Sequence, residues 1–413
     1  MPKHSVDVVD KFGQKFELGA EPGETVSDVV ERHGLPKHAV VTWVDGEIRP
    51  EDQVVVSEAD DLQVKSYRNY DYFNKIRDME TDAVAAEDPV FTNELIEVDS
   101  GRVTKQSVQM DQQTFVEYLN QKFVENVRMY DLVETADKIA LGFSGGTDST
   151  TLLALFMENE HRLPEFELYP VTIADVPDDG DVDLEYTRAV ADHYGLTENH
   201  VIVPADRTEE LFGMRDGPKQ VMRELSRTAT DGMYAVYAGH HVIRRMIESA
   251  DKKIGATKFT LGLERISFMV ATTSLLMTGH PIAGVESREV GDKEYVYPMF
   301  NISKKETEVY HHLVVEGLVD VSETTTHSII HNLASDNRAM LMYLCDVLSD
   351  TWPGISDYLY QGYRNLDQEY GIDYETFECE NCGAASIRPP GTDKQSGVCH
   401  TCNLLSTHDL LTS

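Results

Sequence analysis

The stretch Lys138–Phe156, KIALGFSGGTDSTTLLALF, constrains the fold more than any other part of the chain. Lys138–Phe143 is a short apolar run, which suits a strand buried on both faces. Gly145 and Gly146 follow, and an apolar segment of helical length begins at Asp148. The same alternation then repeats. FELYPVTIAD, HVIVPA and KFTLGL read as strands, and VDLEYTRAVADHYGL, HHVIRRMIESADKKIG and SFMVATTSLLM read as helices between and after them. Strands alternating with helices predict an α/β fold with a doubly wound parallel sheet, helices covering both faces. Ligands of such sheets bind beyond the carboxyl ends of the strands.

The loop Ser144-Gly145-Gly146-Thr147-Asp148-Ser149 lies at such an end. Glycine lets the backbone turn and approach an anion closely. The first turn of the following helix offers free N–H groups and a positive dipole end. Ser144 and Ser149 add hydroxyls. The pattern predicts a phosphate site. It is not a Walker A loop, since no Gly-Lys-Ser/Thr follows.

Four of the five cysteines form two Cys-x-x-Cys pairs, Cys379/Cys382 and Cys399/Cys402, with sixteen residues between them. That spacing predicts a zinc ribbon in which four thiolates make a tetrahedron, rubredoxin-like iron being the alternative. Cys345 lies alone on an apolar helical stripe and reads as core.

The 413 residues carry 72 Asp+Glu against 36 Lys+Arg, a formal charge of −36. The carboxylates are spread along the chain instead of forming a tail. This reads as a halophile-type surface, screened by high salt, or as a mesophilic acidic protein. With 41% hydrophobic residues the chain can fill sizeable cores, which argues against disorder. No signal peptide and no membrane-length apolar run is seen, so a cytoplasmic location and no membrane partner are expected.

Four segments are expected. Residues 1–67 read as β-hairpin, helix, hairpin with Asp45-Gly46 at its turn, and final strand. Residues 68–108 read as an acidic linker with some helix. Residues 109–375 hold the phosphate loop and a helical extension, and residues 376–413 hold the ribbon.

The loop is similar to the signature of the PP-loop ATP pyrophosphatase superfamily. With HHVIRRMIESADKKIGATKFTLG, YPMFNISKKETEVY and CHTCNLLSTHDL, it resembles the tRNA 2-thiouridine synthetase branch over roughly residues 110–410. The order of residues 1–67 resembles the ubiquitin-like β-grasp of small sulfur carriers, without a terminal Gly-Gly. A docking or structural role for it is expected. The resemblance implies ATP cleaved between the α- and β-phosphates, Mg²⁺ bridging the phosphates, and AMP attached to an acceptor oxygen. A nitrogen or sulfur nucleophile then displaces the AMP. It places ATP at Ser144, Gly145, Gly146, Thr147, Asp148, Ser149, Asp175 and Gly262, leaves Asp148, Arg244 and Glu264 as catalytic candidates, and puts structural Zn²⁺ on the four paired cysteines. Possible partners are tRNA and a ubiquitin-like sulfur carrier, and an oligomer is possible.

Several residues depart from the branch. Its loop lysine is Thr147 here. Its Gly-His-Asn-Leu-Asp-Asp motif reads Gly262-Leu263-Glu264-Arg265-Ile266-Ser267, so both aspartates are absent. The three cysteines that hold its iron–sulfur cluster match about Tyr237, His240 and His327, so no cluster is expected. His240, His241 and His327 could converge as imidazole ligands or be ordinary polar residues. Arg244, Arg245, Lys252, Lys253, Lys258, Lys304 and Lys305 would form a basic strip suited to tRNA if they share one face, or else are solvated charges. Three readings follow. The chain is a tRNA thiolation-like enzyme, a PP-loop ligase or amidase acting on a small molecule, or a degenerate nucleotide-binding partner of a sulfur-transfer system.

Overall fold

The computed structural model describes residues 4–9, 15–33, 35, 40–66, 81–99, 102–174, 182–228, 232–278, 285–321, 336–351, 354–370, 375–388 and 397–412. The chain divides into two compact units, Met1–Thr81 with Val98–Lys105, and Asp82–Glu97 with Gln106–Ser413.

The first unit contains β1 (His4–Val9), β2 (Lys15–Ala20), α1 (Val26–Arg32), β3 (Val40–Val44), β4 (Glu47–Arg49) and β5 (Leu62–Ser66). The strands form one sheet in the order β2-β1-β5-β3-β4, with β1 and β5 parallel. Thr25 caps α1 through a reciprocal box with Asp28, which satisfies donors that the first helical turn cannot. Asp45 and Gly46 both take positive φ, 52° and 79°, as a two-residue hairpin turn requires. Alternate valines of the strands and Val26, Val29 and Val30 of α1 share a small core.

Within the stretch expected to be a linker with some helix, the described residues include strands β6 (Thr81–Val84), β7 (Phe91–Asp99) and β8 (Arg102–Met110), in the order β6-β8-β7, and residues 68–80 lie outside the described residues. In the sequence, Ser100-Gly101 between β-branched Val98 and Val103 is a strand-pair signal that an acidic composition obscured.

The second unit is built on α2 (Gln112–Met129), β9 (Asp137–Gly142), α3 (Thr147–Glu158), β10 (Phe166–Ile173), α4 (Leu184–His193), β11 (Val201–Val203), α5 (Arg207–Phe212), α6 (Pro218–Thr228), α7 (Gly232–Ser249), α8 (Asp251–Ile254), β12 (Lys258–Leu261) and α9 (Arg265–Thr278). The hairpin β13 (Ser287–Val290) and β14 (Lys293–Val296) follows. Then come α10 (Lys304–Tyr310), a π-turn over His311–Val315, α11 (Asp336–Thr351), α12 (Ile355–Tyr370), the hairpin β15 (Thr376–Glu378) and β16 (Ala385–Ile387), and α13 (His400–Thr407). Six strands form one sheet in the order β11-β10-β9-β12-β14-β13, parallel except for β13.

Successive residues of β9 feed opposite cores. Ile139 and Leu141 join Phe115, Leu119 and Phe123 of α2 and Leu152–Phe156 of α3 on one face. Ala140 joins Val242 and Met246 of α7 and Met269 of α9 on the other. This is why the strand reads as a continuous apolar run. Cys345 is 1% exposed in that second core. No helix among the described residues is long and apolar enough to cross a membrane.

The strand order places the site. From β9 the chain steps outward through β10 to β11, then returns to β12 on the other side of β9. The crevice between the carboxyl ends of β9 and β12 is therefore the point where the winding reverses. The loop after β9 and the turn after β12 both open onto it.

Candidate functional site

Gly145 has φ +82°, and a Cβ there would stand 2.8 Å from Thr187 Cγ2. Gly146 caps α3 without a side-chain bond. The two serines brace the loop. The Ser144 N–H donates to Ser149 Oγ at 3.3 Å, and the Ser149 hydroxyl donates to the Gly146 carbonyl at 3.1 Å. The Gly146 N–H faces Ser144 Oγ at 3.4 Å. The loop is thus held open by its own hydroxyls ahead of the α3 N-terminus.

Gly262, directly after β12, is packed on this loop. A Cβ there would meet the Asp148 carbonyl carbon at 2.7 Å and the Ser149 nitrogen at 2.8 Å. Only a residue without a side chain lets the two strand ends approach this closely. Glu264, two residues on, is 4% exposed. It accepts from the Ile266 N–H at 2.6 Å and from the Ser267 N–H at 3.0 Å, and so caps α9. Burial pushes its carboxyl above the ordinary range, these bonds pull it back, and the Asp148 charge adds to the rise.

Sequence reasoning placed Lys304 on a basic strip and not in this site. The structure brings its Nζ to 2.7 Å from Asp148 Oδ1 and 3.1 Å from Glu308 Oε1. Its position is fixed from below. Ser303 and Glu306 form a capping box on α10. Buried Glu306 accepts from Lys122 Nζ at 2.9 Å and from the Tyr118 hydroxyl at 2.7 Å, both on α2. Asn126, also on α2, donates to the Pro298 carbonyl at 2.8 Å and to Asn301 at 2.7 Å. The Ser303-x-x-Glu306 box was readable as a helix start, but its proximity to Asp148 bridges 156 residues of chain.

Arg244 is not part of this constellation. Its Nη2 donates to the Ala385 carbonyl at 2.7 Å, and its guanidinium lies 5.9 Å from the Tyr295 ring centroid. Arg245 Nε donates to the Cys382 carbonyl at 2.7 Å. The arginine pair clamps the cysteine-bearing hairpin to α7. The other cations of the expected strip are also dispersed. Lys258 is 3% exposed, between Asp137 at 3.3 Å and Glu134 at 3.5 Å. Lys305 lies 5.2 Å over the Phe91 ring. Asp175 and His327 lie outside the described residues.

Cys379, Cys382, Cys399 and Cys402 are all buried, and their Sγ atoms lie within 4.8 Å of one another. Backbone N–H groups point at the sulfurs, Cys399 N to Cys379 Sγ at 3.2 Å and Cys402 N to Cys399 Sγ at 3.4 Å. Asn381 Nδ2 donates to Cys402 Sγ at 3.3 Å. Converging sulfurs with N–H donors around them fit a metal held by thiolates. His241 adds a further partner. Arg244 Nη2 can only donate, and it lies 3.3 Å from His241 Nδ1. The ring proton therefore sits on Nε2, which faces Cys399 Sγ at 3.6 Å and Cys382 Sγ at 3.7 Å. Burial holds this imidazole below its usual pKa, hence neutral. His241 thus meets the paired cysteines themselves. Tyr237, at one expected cluster position, instead donates to Ser274 Oγ at 2.6 Å.

No known protein-family pattern matches the sequence. Among solved structures, one similar chain is the U34-tRNA thiolase NcsA from Methanococcus maripaludis with its [4Fe-4S] cluster. The likeness has a TM-score of 0.53 at 16% identity and covers 74% of this chain and 91% of that one. The chain shares its fold with a tRNA thiolase. A looser likeness, TM-score 0.34 at 13% identity, is to NAD+ synthetase from Burkholderia pseudomallei, over 64% of this chain and 91% of that one.

The expectation of no iron–sulfur cluster is corrected here. It rested on three missing cysteines, yet the chain gathers four others into one buried metal-competent group, and the similar thiolase is a cluster protein. Four thiolates ligate iron–sulfur clusters as readily as single ions, so this donor set excludes neither.

Proposed function

We propose that the chain is an ATP-dependent, adenylating protein of the PP-loop type, similar to tRNA thiolation enzymes. The observation that carries this reading is the braced Ser144–Ser149 loop at the sheet's reversal point, with Gly262 packed against its backbone. In this reading the N–H groups of Gly145, Gly146, Thr147 and the α3 N-terminus cradle the pyrophosphate end of ATP. Asp175 and Gly262 complete the nucleotide site. Asp148 and Glu264 are the acidic groups beside the reacting phosphate. An acceptor oxygen attacks the α-phosphorus, the α–β bridging bond breaks, and pyrophosphate leaves. Arg244 is left out of the reacting set because Ala385, Tyr295 and His241 engage it.

The first unit is read as a β-grasp module, supported by its strand order and by helix α1 between the β1–β2 and β3–β4 pairs. Its role here is to dock a sulfur-transfer partner. A metal on Cys379, Cys382, Cys399 and Cys402 supplies folding energy to a hairpin too small to hold a core of its own.

For the acceptor, tRNA is supported by the likeness to the thiolase. A small-molecule acceptor is favoured by one specific observation, the dispersal of the expected basic strip among buried pairs and the cysteine hairpin. Pyrophosphate release from ATP by the full chain in high salt, with and without tRNA, separates them. Release that requires tRNA supports the first, and release that requires a metabolite supports the second. ATP binding without turnover under all these conditions would leave only the degenerate nucleotide-binding reading.

A further inference from the structure

We propose that Arg244 decides which side chains hold a metal at the cysteine centre. It fixes His241 as a hydrogen-bond donor to the sulfurs, bars it from ligating, and so keeps the centre all-thiolate. This rests on the reading of Cys379, Cys382, Cys399 and Cys402 as a metal site and names the residue that sets the donors of that site.

Five side chains that can ligate converge here, one more than a tetrahedral ion takes. Four are the sulfurs. The fifth is His241, whose Nε2 lies 3.6 Å from Cys399 Sγ and 3.7 Å from Cys382 Sγ. Sites of four cysteines and sites of three cysteines with one histidine are both ordinary for zinc, so the residue types alone allow either. The choice has a chemical consequence. Four thiolates also suit an iron–sulfur cluster, whereas a histidine in the set changes the potential and the metal preference.

The partner of the other ring nitrogen makes the choice. A ligating histidine gives one lone pair to the metal and donates its remaining N–H to a carboxylate or a carbonyl. His241 meets the opposite. Arg244 lies three residues further along α7, on the same face, and its Nη2 is 3.3 Å from His241 Nδ1. A guanidinium has only donors, so the lone pair belongs on Nδ1 and the proton on the nitrogen that faces the sulfurs. To ligate, the ring would have to carry its proton on Nδ1, donor against donor. Arg244 is not free to turn away. The same Nη2 donates to the Ala385 carbonyl at 2.7 Å, and Nε lies 3.6 Å from Glu248 Oε1. The Tyr295 ring centroid is 5.9 Å from the guanidinium, and the Tyr295 hydroxyl donates to Glu248. Removing Arg244 lifts the opposition, and the imidazole can then replace Cys382 or Cys399, the two sulfurs it already faces.

The test is cobalt(II) added to the metal-free full chain at one fixed pH and salt concentration, read by its visible spectrum. The native chain and His241→Ala should both show a four-thiolate spectrum. Arg244→Met should lose about a quarter of the thiolate-to-cobalt charge-transfer intensity, one thiolate of four, with the ligand-field bands moved to shorter wavelength. One more cysteine should then react with iodoacetamide. Arg244→Met/His241→Ala should restore the four-thiolate spectrum. Arg245→Met, which loses the bond to the Cys382 carbonyl and leaves the imidazole untouched, should match the native chain. A rescue makes the same point. Cys382→Ser should lose cobalt, Cys382→Ser/Arg244→Met should regain it, and His241→Ala added to that pair should abolish it again. If folded Arg244→Met keeps the native spectrum, or the native spectrum already shows three thiolates and a nitrogen, the role of Arg244 is overturned and the metal reading stands. A melting profile identifies a variant that has not folded. In that case the zinc-loaded native chain decides, through the imidazole nitrogen resonances of His241, identified by their loss in His241→Ala. A proton on Nε2 supports the proposal, and a proton on Nδ1 overturns it. If the native chain binds no cobalt, the reading of the cysteines as a metal site fails, and this proposal with it.

Discussion

Gly262→Ala adds one methyl group at the place where the two central strand ends meet. A Cβ on Gly262 would lie 2.7 Å from the Asp148 carbonyl carbon, 2.8 Å from its oxygen and 2.8 Å from the Ser149 nitrogen. All three atoms are backbone, in the first turn of α3, so no flexible side chain can yield. Gly262 does not sit at positive φ, so the obstacle is steric and not conformational. Relief requires the loop or β12 to shift by several tenths of an ångström. Overpacking of this kind costs about 1–3 kcal/mol. The lower entropy of an unfolded alanine returns about 0.4–1 kcal/mol, leaving a net loss of about 1–2 kcal/mol.

Gly362→Ala makes the matched control. Gly362 lies within α12, with nothing within 4 Å of the added Cβ. The same methyl there should stabilise by about 1 kcal/mol through helix propensity. Thermal and denaturant unfolding of both variants in concentrated salt should therefore move in opposite directions. Gly262→Ala should also weaken pyrophosphate binding, because it displaces the N–H groups proposed to hold it. A Gly262→Ala chain as stable as Gly362→Ala, with native pyrophosphate affinity, would refute the close approach of β12 to the loop.

The buried Glu306 network predicts acid sensitivity. Burial pushes the Glu306 carboxyl up, but Lys122, the Ser303 N–H and Tyr118 outweigh it and hold the pKa at about 2. A carboxyl depressed from 4.5 contributes stability above its unfolded pKa and loses it as pH falls from about 4.5 toward 2, about 3 kcal/mol in all. Lys122→Met, which leaves the carboxylate buried and unpaired, should cost about 3–5 kcal/mol at neutral pH in an unfolding titration. At the cysteine centre, elemental analysis should show metal lost from Cys382→Ser and retained in Cys345→Ser. His241→Ala should keep the metal but release it to a chelator roughly 10- to 100-fold more readily, as loss of an outer hydrogen bond does. With a net charge of −36, the melting temperature should rise as KCl shortens the screening length from about 10 Å at 0.1 M to about 3 Å at 1 M. A flat or falling trend would contradict the self-repulsion argument.

Local features of this chain were legible because local chemistry dictates them. The apolar run before Ser144 had to be a strand covered on both faces, and Ile139, Ala140 and Leu141 do feed two cores. The glycine pair after that strand signalled a turn that the backbone could make without a Cβ clash, and Gly145 does take a positive φ. The spacing of Cys379, Cys382, Cys399 and Cys402 predicted a common centre, which the fold provides. The hairpin at β7–β8 was obscured because acidic composition masks a weak period-two pattern. Arg244 was singled out by the resemblance, which does not show what its helix face meets, here the Ala385 carbonyl of the cysteine hairpin.

The amino-acid sequence by itself determined the parallel α/β plan, the glycine-rich turn after β9 and the paired cysteines, each set by steric and ligand rules that act over a few residues. Only the tertiary structure decided the company those features keep. It set Lys304 against Asp148, Gly262 against the loop backbone, and His241 against Cys382 and Cys399. These contacts join segments more than a hundred residues apart. They follow from sheet order and helix packing, which depend on every core contact at once and leave no local pattern to read.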